Sequence, residues 1–191
     1  MQDVRDNNFS AILAREASIT RKDARHLFAE AAHYGRLELC QWLHATYDLT
    51  PADARAFDNF ALRHAAENGH LDTCQWLYVT FDLTPADACD AGNYALRWAA
   101  QGGHLAVCQW LYATFNVTPA DNHDFTNYSL FYAAANGHLA VCKWLHATYG
   151  LTAADWKPYT GPPAVAAWIR SLAVKARLRE LAAELTALAD E

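Results

Sequence analysis

The stretch ALRHAAENGHL, running from Ala61 to Leu71, returns as ALRWAAQGGHL from Ala95 to Leu105 and as SLFYAAANGHL from Ser129 to Leu139. The starts lie 34 residues apart each time, a fixed unit length that marks a tandem array. In the middle copy the good helix formers from Ala95 to Ala100 stop at Gly102-Gly103, where glycine allows the left-handed turn that ends a helix. Asn93 is suited to cap the start of that helix, which is expected over about residues 93–101. A second helix opens near Leu105 and sets Leu105, Cys108, Leu111 and Tyr112 on one stripe, with Trp110 beside it. Each unit is then a pair of helices that contacts mainly its neighbours.

A second motif keeps the same period. LTPAD stands at Leu49 to Asp53 and Leu83 to Asp87, becomes VTPAD at Val117 to Asp121 and fades to LTAAD at Leu151 to Asp155. Thr84 can cap a helix, Pro85 sits where a missing N–H costs nothing, and Asp87 falls at the third helical position, completing a capping box. The motif reads as a one-turn helix starter, with a type I turn carrying Pro at its second position as the alternative.

Charged residues make up 19% of the 191 and the formal net charge is −6, without a Lys/Arg-rich run, so nucleic acid is not expected as a partner. No apolar run approaches the roughly 18 to 20 residues of a membrane span, and the start MQDVRDNNFS lacks the basic and apolar regions of a signal peptide. One domain, a cytoplasmic location and no membrane association are expected. Cys40, Cys74, Cys108 and Cys142 recur at one repeat position. Stacked units separate equivalent atoms by roughly 10 Å, beyond the about 7 Å Cα separation that a disulfide tolerates. They are expected as small buried hydrophobes, and Cys89 as a loop thiol open to solvent.

Thirty-four is the length of a tetratricopeptide repeat, whereas ankyrin repeats usually run about 33, but the tetratricopeptide aromatic and proline pattern cannot be laid on these units. A leucine, a polar residue, a small-residue pair and then Gly-His-Leu opening the second helix resembles the ankyrin repeat over roughly Asp23 to Asp155. The GHL and CQWL strings further resemble the divergent ankyrin arrays of large DNA viruses of protists, which would imply a host-cell cytoplasmic location. The resemblance implies an all-α, ankyrin-type helix-turn-helix repeat solenoid with capping helices at both ends. Two features depart from the family. The Thr-Pro that opens the first ankyrin helix is replaced by Asn59-Phe60, Asn93-Tyr94 and Asn127-Tyr128, and LTPAD lies earlier, in the connection that ankyrin proteins fold as a β-hairpin finger.

A stacked array needs caps. Residues 1–22 are expected to form an N-terminal cap, 23–155 the repeats and 156–191 a degenerate C-terminal capping repeat. FSAILAREASIT (Phe9 to Thr20) parallels LCQWLHATYDLT (Leu39 to Thr50), predicting one helix with Phe9, Ile12 and Leu13 inward. AAWIRSLAVKARL (Ala166 to Leu178) parallels AAANGHLAVCKWL (Ala133 to Leu145), predicting a first helix from Pro162-Pro163 and a second to about Ala189. That second helix carries Val174, Leu178, Leu181, Leu185 and Leu188 at spacings of four and three, suited to lie on the last repeat or to pair with a second chain. Loss of residues 172–191 is expected to destabilise the array.

His70 with Cys74, His104 with Cys108 and His138 with Cys142 have metal-ligand spacing, but each supplies two ligands, an incomplete site. No metal is expected, and each histidine is expected to bond neighbouring backbone, as in ankyrin repeats. Phosphate-binding glycine loops, HExxH and GxSxG are absent, so neither an enzyme nor a cofactor is expected. The recurring Trp42, Trp76, Trp110 and Trp144 read as stacked core.

Positions that vary between units are free of the stacking demand, and they lie at the finger tips and on the outer side of the first helix. The resemblance implies that these regions line the concave groove that binds another protein. The finger candidates are Phe57, Asp58, Asp90, Asp124 and Phe125, and the helix candidates His64, Glu67, Trp98, Gln101, Tyr132 and Asn136. Large aromatics among them are the kind that anchor interfaces, and the carboxylates Glu67, Asp90 and Asp124 suggest a partner whose apolar anchor is flanked by Lys or Arg. The expected function is a non-catalytic protein-interaction module acting as a monomer, with self-assembly through residues 172–191 as the alternative.

Overall fold

The computed structural model describes residues 2–6, 8–116, 123–152, 154–156 and 161–189, with side chains described throughout except at 89–93, 123–127 and 188–189. The motif at Val117 to Asp121 therefore lies outside the described residues. Short helices α1 (Gln2–Arg5) and α2 (Phe9–Leu13) come first, followed by the pair α3 (Arg21–His33) and α4 (Leu37–Tyr47). One turn, α5 (Pro51–Ala54), leads into the pair α6 (Ala56–Glu67) and α7 (Leu71–Phe81). The pairs α8 (Pro85–Gly102) with α9 (Leu105–Phe115) and α10 (His123–Ala135) with α11 (Leu139–Thr148) follow, and α12 (Pro163–Ala189) ends the chain's helices. First helices stack in the order α3, α6, α8, α10 and second helices in the order α7, α9, α11. Among the described residues there is no strand, and the architecture is an all-helical repeat solenoid.

Glycine is required where each pair turns. Gly69 and Gly103 have φ of 79° and 78°, and a Cβ on either would lie 2.4 Å from Nδ1 of the next repeat's histidine, His104 or His138. The ring thus rests on the glycine of the preceding turn. His138 Nε2 lies 2.8 Å from the Gln101 carbonyl oxygen, and His70 and His104 bond the backbone of His33 and Glu67. These histidines clip one repeat to the next, as the residue pattern suggested.

LTPAD starts helices. Thr50 with Asp53 and Thr84 with Asp87 form reciprocal capping boxes, and Thr20 with Asp23 forms another at α3 without any proline. Two expectations need correction. In α8 the helix begun at Pro85 runs unbroken to Gly102, so Asn93 lies inside it and no finger separates starter from helix. Once a turn is nucleated, adding residues is cheaper than starting again. In the preceding unit the backbone instead turns left-handed through Phe57, Asp58 and Asn59, with φ of 56°, 55° and 57°; Asp and Asn tolerate that region better than most residues.

The capping aspartates also receive the arginine of the preceding unit. Arg21 Nη2 lies 2.9 Å from Asp53 Oδ2, and 34 residues on, Arg55 donates to both oxygens of Asp87, Nε to Oδ1 at 2.7 Å and Nη2 to Oδ2 at 3.0 Å. Arg55, replaced by Cys89 in the next unit, is therefore engaged in stacking. Burial works against ionisation of Asp87, but Arg55 and the Thr84 amide and hydroxyl outweigh it and hold the carboxyl below its ordinary value. Replacing Asp87 by alanine is expected to cost about 1 to 2 kcal/mol at neutral pH, the range for a lost cap and its charged partner. Because the folded-state value is depressed, that contribution is complete above about pH 4 and shrinks as pH falls through the lowered value. Urea titrations of both chains at several pH values measure it; an undiminished difference at pH 2 would refute the assignment.

Cys40, Cys74, Cys108 and Cys142 are buried, and burial pushes all four thiols up, Cys108 to about 12 and Cys142 to about 11. Cys89 has its side chain outside the described residues. The four recurring tryptophans are half-buried and form an edge-to-face ladder along the second helices. His44 meets Trp76, Tyr78 meets Trp110 and Tyr112 meets Trp144, at 5.9, 6.1 and 6.0 Å.

Both ends differ from expectation. At the N-terminus, α1, α2 and a 3-10 turn at Glu16–Ser18 replace a single helix, because Asn8 caps a fresh start by accepting from the Ala11 amide. Ile12 is buried while Leu13 is exposed. At the C-terminus, one 27-residue helix replaces the expected two. In the parallel drawn above, Arg170 occupies the place of Gly137, whose φ is 80°. A side chain there disfavours the left-handed turn, so the helix continues. Only its first part packs: Val165 is buried and Trp168, Ile169 and Leu172 lie on the core together with the fully buried Trp156.

Candidate interaction face

Because equivalent residues recur every 34 positions, the outer side of the stacked first helices presents rows of corresponding side chains. One row is Glu30, His64, Trp98 and Tyr132; its neighbour is His33, Glu67 and Gln101. Trp98, Gln101 and Tyr132 are half-buried and Asn136 is exposed. Tyr132 stacks on Tyr128 with ring centroids 6.4 Å apart and meets Phe131 edge-on at 5.2 Å. The Asn136 carboxamide donates to the Tyr132 carbonyl at 2.9 Å, and the Gln101 carbonyl receives His138, so both residues also serve the turns.

At the α3–α6 end, His64 Nδ1 lies 2.6 Å from Glu67 Oε2. Burial lowers the His64 pKa, with Glu67 opposing. The His64 ring contacts Phe60 at 3.9 Å and His33 at 5.3 Å. Phe57 is 52% exposed although it is the first residue of the left-handed turn, a conformation costing a non-glycine residue about 1 to 2 kcal/mol. Its ring lies 5.4 Å from His26, over a shallow apolar hollow of about 240 Å³ lined by His26, Ala29, Glu30, Phe57 and Phe60. Asp58 is exposed beside it.

Of the eleven candidates, Asp90, Asp124 and Phe125 have side chains outside the described residues, so an acidic rim and an aromatic patch that include them are not described. Of the remaining eight, seven lie on α6, α8 and α10, and Asn136 directly follows α10. Arg63, Arg97, Tyr94 and Tyr128 recur between units and so were not among the varying positions taken as candidates. The guanidinium of Arg63 lies 5.4 Å from the Tyr94 ring centre, and that of Arg97 lies 4.2 Å from Tyr94 and 5.5 Å from Tyr128. This staircase of arginines and tyrosines puts two cations in the midst of the aromatic surface, where cation–π contact holds them. Their recurrence at 63 and 97, and at 94 and 128, was the available signal.

The arrangement offers aromatic anchors, a paired His–Glu and two held guanidiniums on a surface built of helices. No described helix is long and apolar enough to cross a membrane. A family model described as ankyrin repeats, in three copies, matches residues 27–121. No curated protein and no solved structure matches the chain. The turns at Gly35, Gly69 and Gly103, the His70 and His104 clips and the pairs α6/α7 and α8/α9 fall within that segment, and over it the chain is similar to ankyrin repeats.

Proposed function

We infer that the outer face of the first helices is a protein-binding surface and that the chain acts as a non-catalytic interaction module. Ankyrin repeats are generally protein-interaction modules. The observation that supports this surface most is Phe57, a large apolar side chain held half in solvent on a strained backbone; strain kept at an exposed aromatic points to a role other than folding. Phe57 and Phe60 open one apolar anchor site, and Trp98, Phe131 and Tyr132 continue the surface. The partner carries apolar anchors, with carboxylates placed to meet Arg63 and Arg97, whose charges weigh against the acidic rim expected from Glu67, Asp90 and Asp124. Replacing Trp98 and Tyr132 by alanine is expected to weaken a bound partner by about 2 kcal/mol or more, as truncation of an interface anchor does. Affinity capture with wild-type and double-mutant chains, followed by a measured Kd for the recovered partner, tests it. A folded double mutant that binds undiminished places the interface elsewhere; one that does not fold makes these aromatics core.

A second reading, self-association through α12, is favoured by its uncovered stripe. Val174, Leu178, Leu181 and Leu185 are between 38% and 68% exposed, a contiguous apolar stripe of the kind that association covers. Charge selects the orientation. Arg170, Lys175, Arg177 and Arg179 precede the middle of the stripe, and Glu180 and Glu184 follow it. Arg177 and Glu184 flank the same edge, 3.4 Å apart. Two antiparallel copies place Arg177 of each against Glu184 of the other, whereas parallel copies oppose Arg170 to Lys175. The hollow of about 580 Å³ between α11 and α12, lined in part by Lys143, Lys175 and Arg179, extends the positive end. Light scattering of wild type and Leu181→Glu checks it: a concentration-dependent dimer lost in the variant supports the reading, and a wild-type monomer at about millimolar concentration sinks it.

A further inference from the structure

We propose that His33, His64 and Glu67 form a site for a zinc-class divalent ion that ties α3 to α6. One ligand atom from each of the three residues lies within 4.8 Å of both others. His64 and Glu67 are three residues apart on α6, with Nδ1 and Oε2 already 2.6 Å from each other, and His33 comes from the neighbouring helix with its ring 5.3 Å from that of His64. Two imidazoles and one carboxylate, leaving one position open, are the ligand set of a known class of zinc site. Metal–ligand bonds of about 2.0 to 2.2 Å require ligand atoms roughly 3.3 Å apart, so the three side chains need rotate only slightly to close on an ion. The ion would occupy the place of the proton that His64 and Glu67 share, with water or a partner's donor as the fourth ligand.

The surroundings hold these ligands in place. The backbone of His33 is bonded by His70 and that of Glu67 by His104, so both ligand-bearing turns are fixed by the inter-repeat clips. Asn68 Nδ2 donates to the His64 carbonyl oxygen at 2.8 Å and lies 3.3 Å from His33 Nδ1, which links the end of α6 to His33. The His64 ring lies against Phe60, and its burial favours the neutral form that metals bind. Repetition isolates the site. The positions equivalent to His33 and Glu67 are Gln101 and Ala135, and those equivalent to His64 are Trp98 and Tyr132, so the later interfaces lack the ligands. The His–Cys pairs do not compete, because their thiols are buried and held protonated. The site stands whether or not a partner docks on this face.

The full chain is titrated with Zn²⁺ by calorimetry and with Co²⁺ by visible absorption. One equivalent should bind, Co²⁺ should give the intense bands of a four-coordinate site, and Zn²⁺ should raise the Tm. His33→Ala, His64→Ala and Glu67→Gln should each weaken binding by about 10-fold or more, while His26→Ala leaves it unchanged. Circular dichroism and the metal-free Tm of each variant monitor the fold, and His33→Gln, which keeps a polar side chain at that position, replaces any variant that melts early. Absence of stoichiometric binding, or wild-type affinity in a folded His33 variant, overturns the site.

Discussion

Gly103→Ala is expected to cost about 3 kcal/mol and to loosen the stack between the α8/α9 and α10/α11 pairs. Two independent terms act there. Gly103 has φ of 78°, where an alanine pays about 1 to 2 kcal/mol for its Cβ. The new Cβ would also lie 2.4 Å from His138 Nδ1 and 2.7 Å from two of its ring carbons. Neither the turn nor the ring can yield cheaply, since the ring's other nitrogen is 2.8 Å from the Gln101 carbonyl; moving it strands polar groups at about 1 to 3 kcal/mol. Gly150 supplies the control. Its φ is 60°, but nothing lies within 4 Å of an added Cβ, so Gly150→Ala should show the conformational term alone, about 1 to 2 kcal/mol. Urea unfolding of the two variants separates the terms. Equal losses would mean that the histidine clip contributes nothing to the stack.

Trp156→Ala should be at least as damaging, at about 3 to 5 kcal/mol, the cost of emptying a large aromatic site in a packed core. Trp156 is fully buried, its ring 4.8 Å from Trp168 and 6.4 Å from His146. It joins α11 to the start of α12, so its loss uncovers apolar surface on the last repeat. Removal of residues 173–191 should by contrast cost less than about 1 kcal/mol, because the side chains described beyond Leu172 make no core contact. This revises the expectation that the stripe seals the array as far as Leu185, the Leu188 side chain lying outside the described residues: sealing belongs to Trp156, Val165, Trp168 and Leu172. Thermal melts of the point variant and the truncation decide it. A truncation as destabilising as the tryptophan replacement would mean that the distal half of α12 folds back onto the repeats. If the truncated chain keeps its Tm but loses a dimer, the stripe serves association alone.

The repeat was legible because stacking imposes the same demand on every unit: Gly at the turn, His over it, Leu and Cys inward, each 34 residues apart. The capping boxes were legible too, since Thr, Pro and Asp at that spacing satisfy a helix start by local hydrogen bonds. What a one-dimensional pattern does not contain is where a started helix stops. The same LTPAD yields one turn before a left-handed bend at Phe57–Asn59 and 18 continuous residues in α8. Nor does it say which face a recurring residue meets. Arg63 and Arg97 recur at one repeat position and lie stacked on tyrosines, while Arg55, replaced by Cys89 in the next unit, reaches Asp87.

The helical pair, its period and its turns follow from the residue pattern, because they depend on contacts within a unit or identical between units. The ends, the finger conformation and the gathering of His33, His64 and Glu67 emerge only once the chain is folded. Each of these depends on side chains far apart in sequence or on a position that occurs once, and repetition carries no information about either.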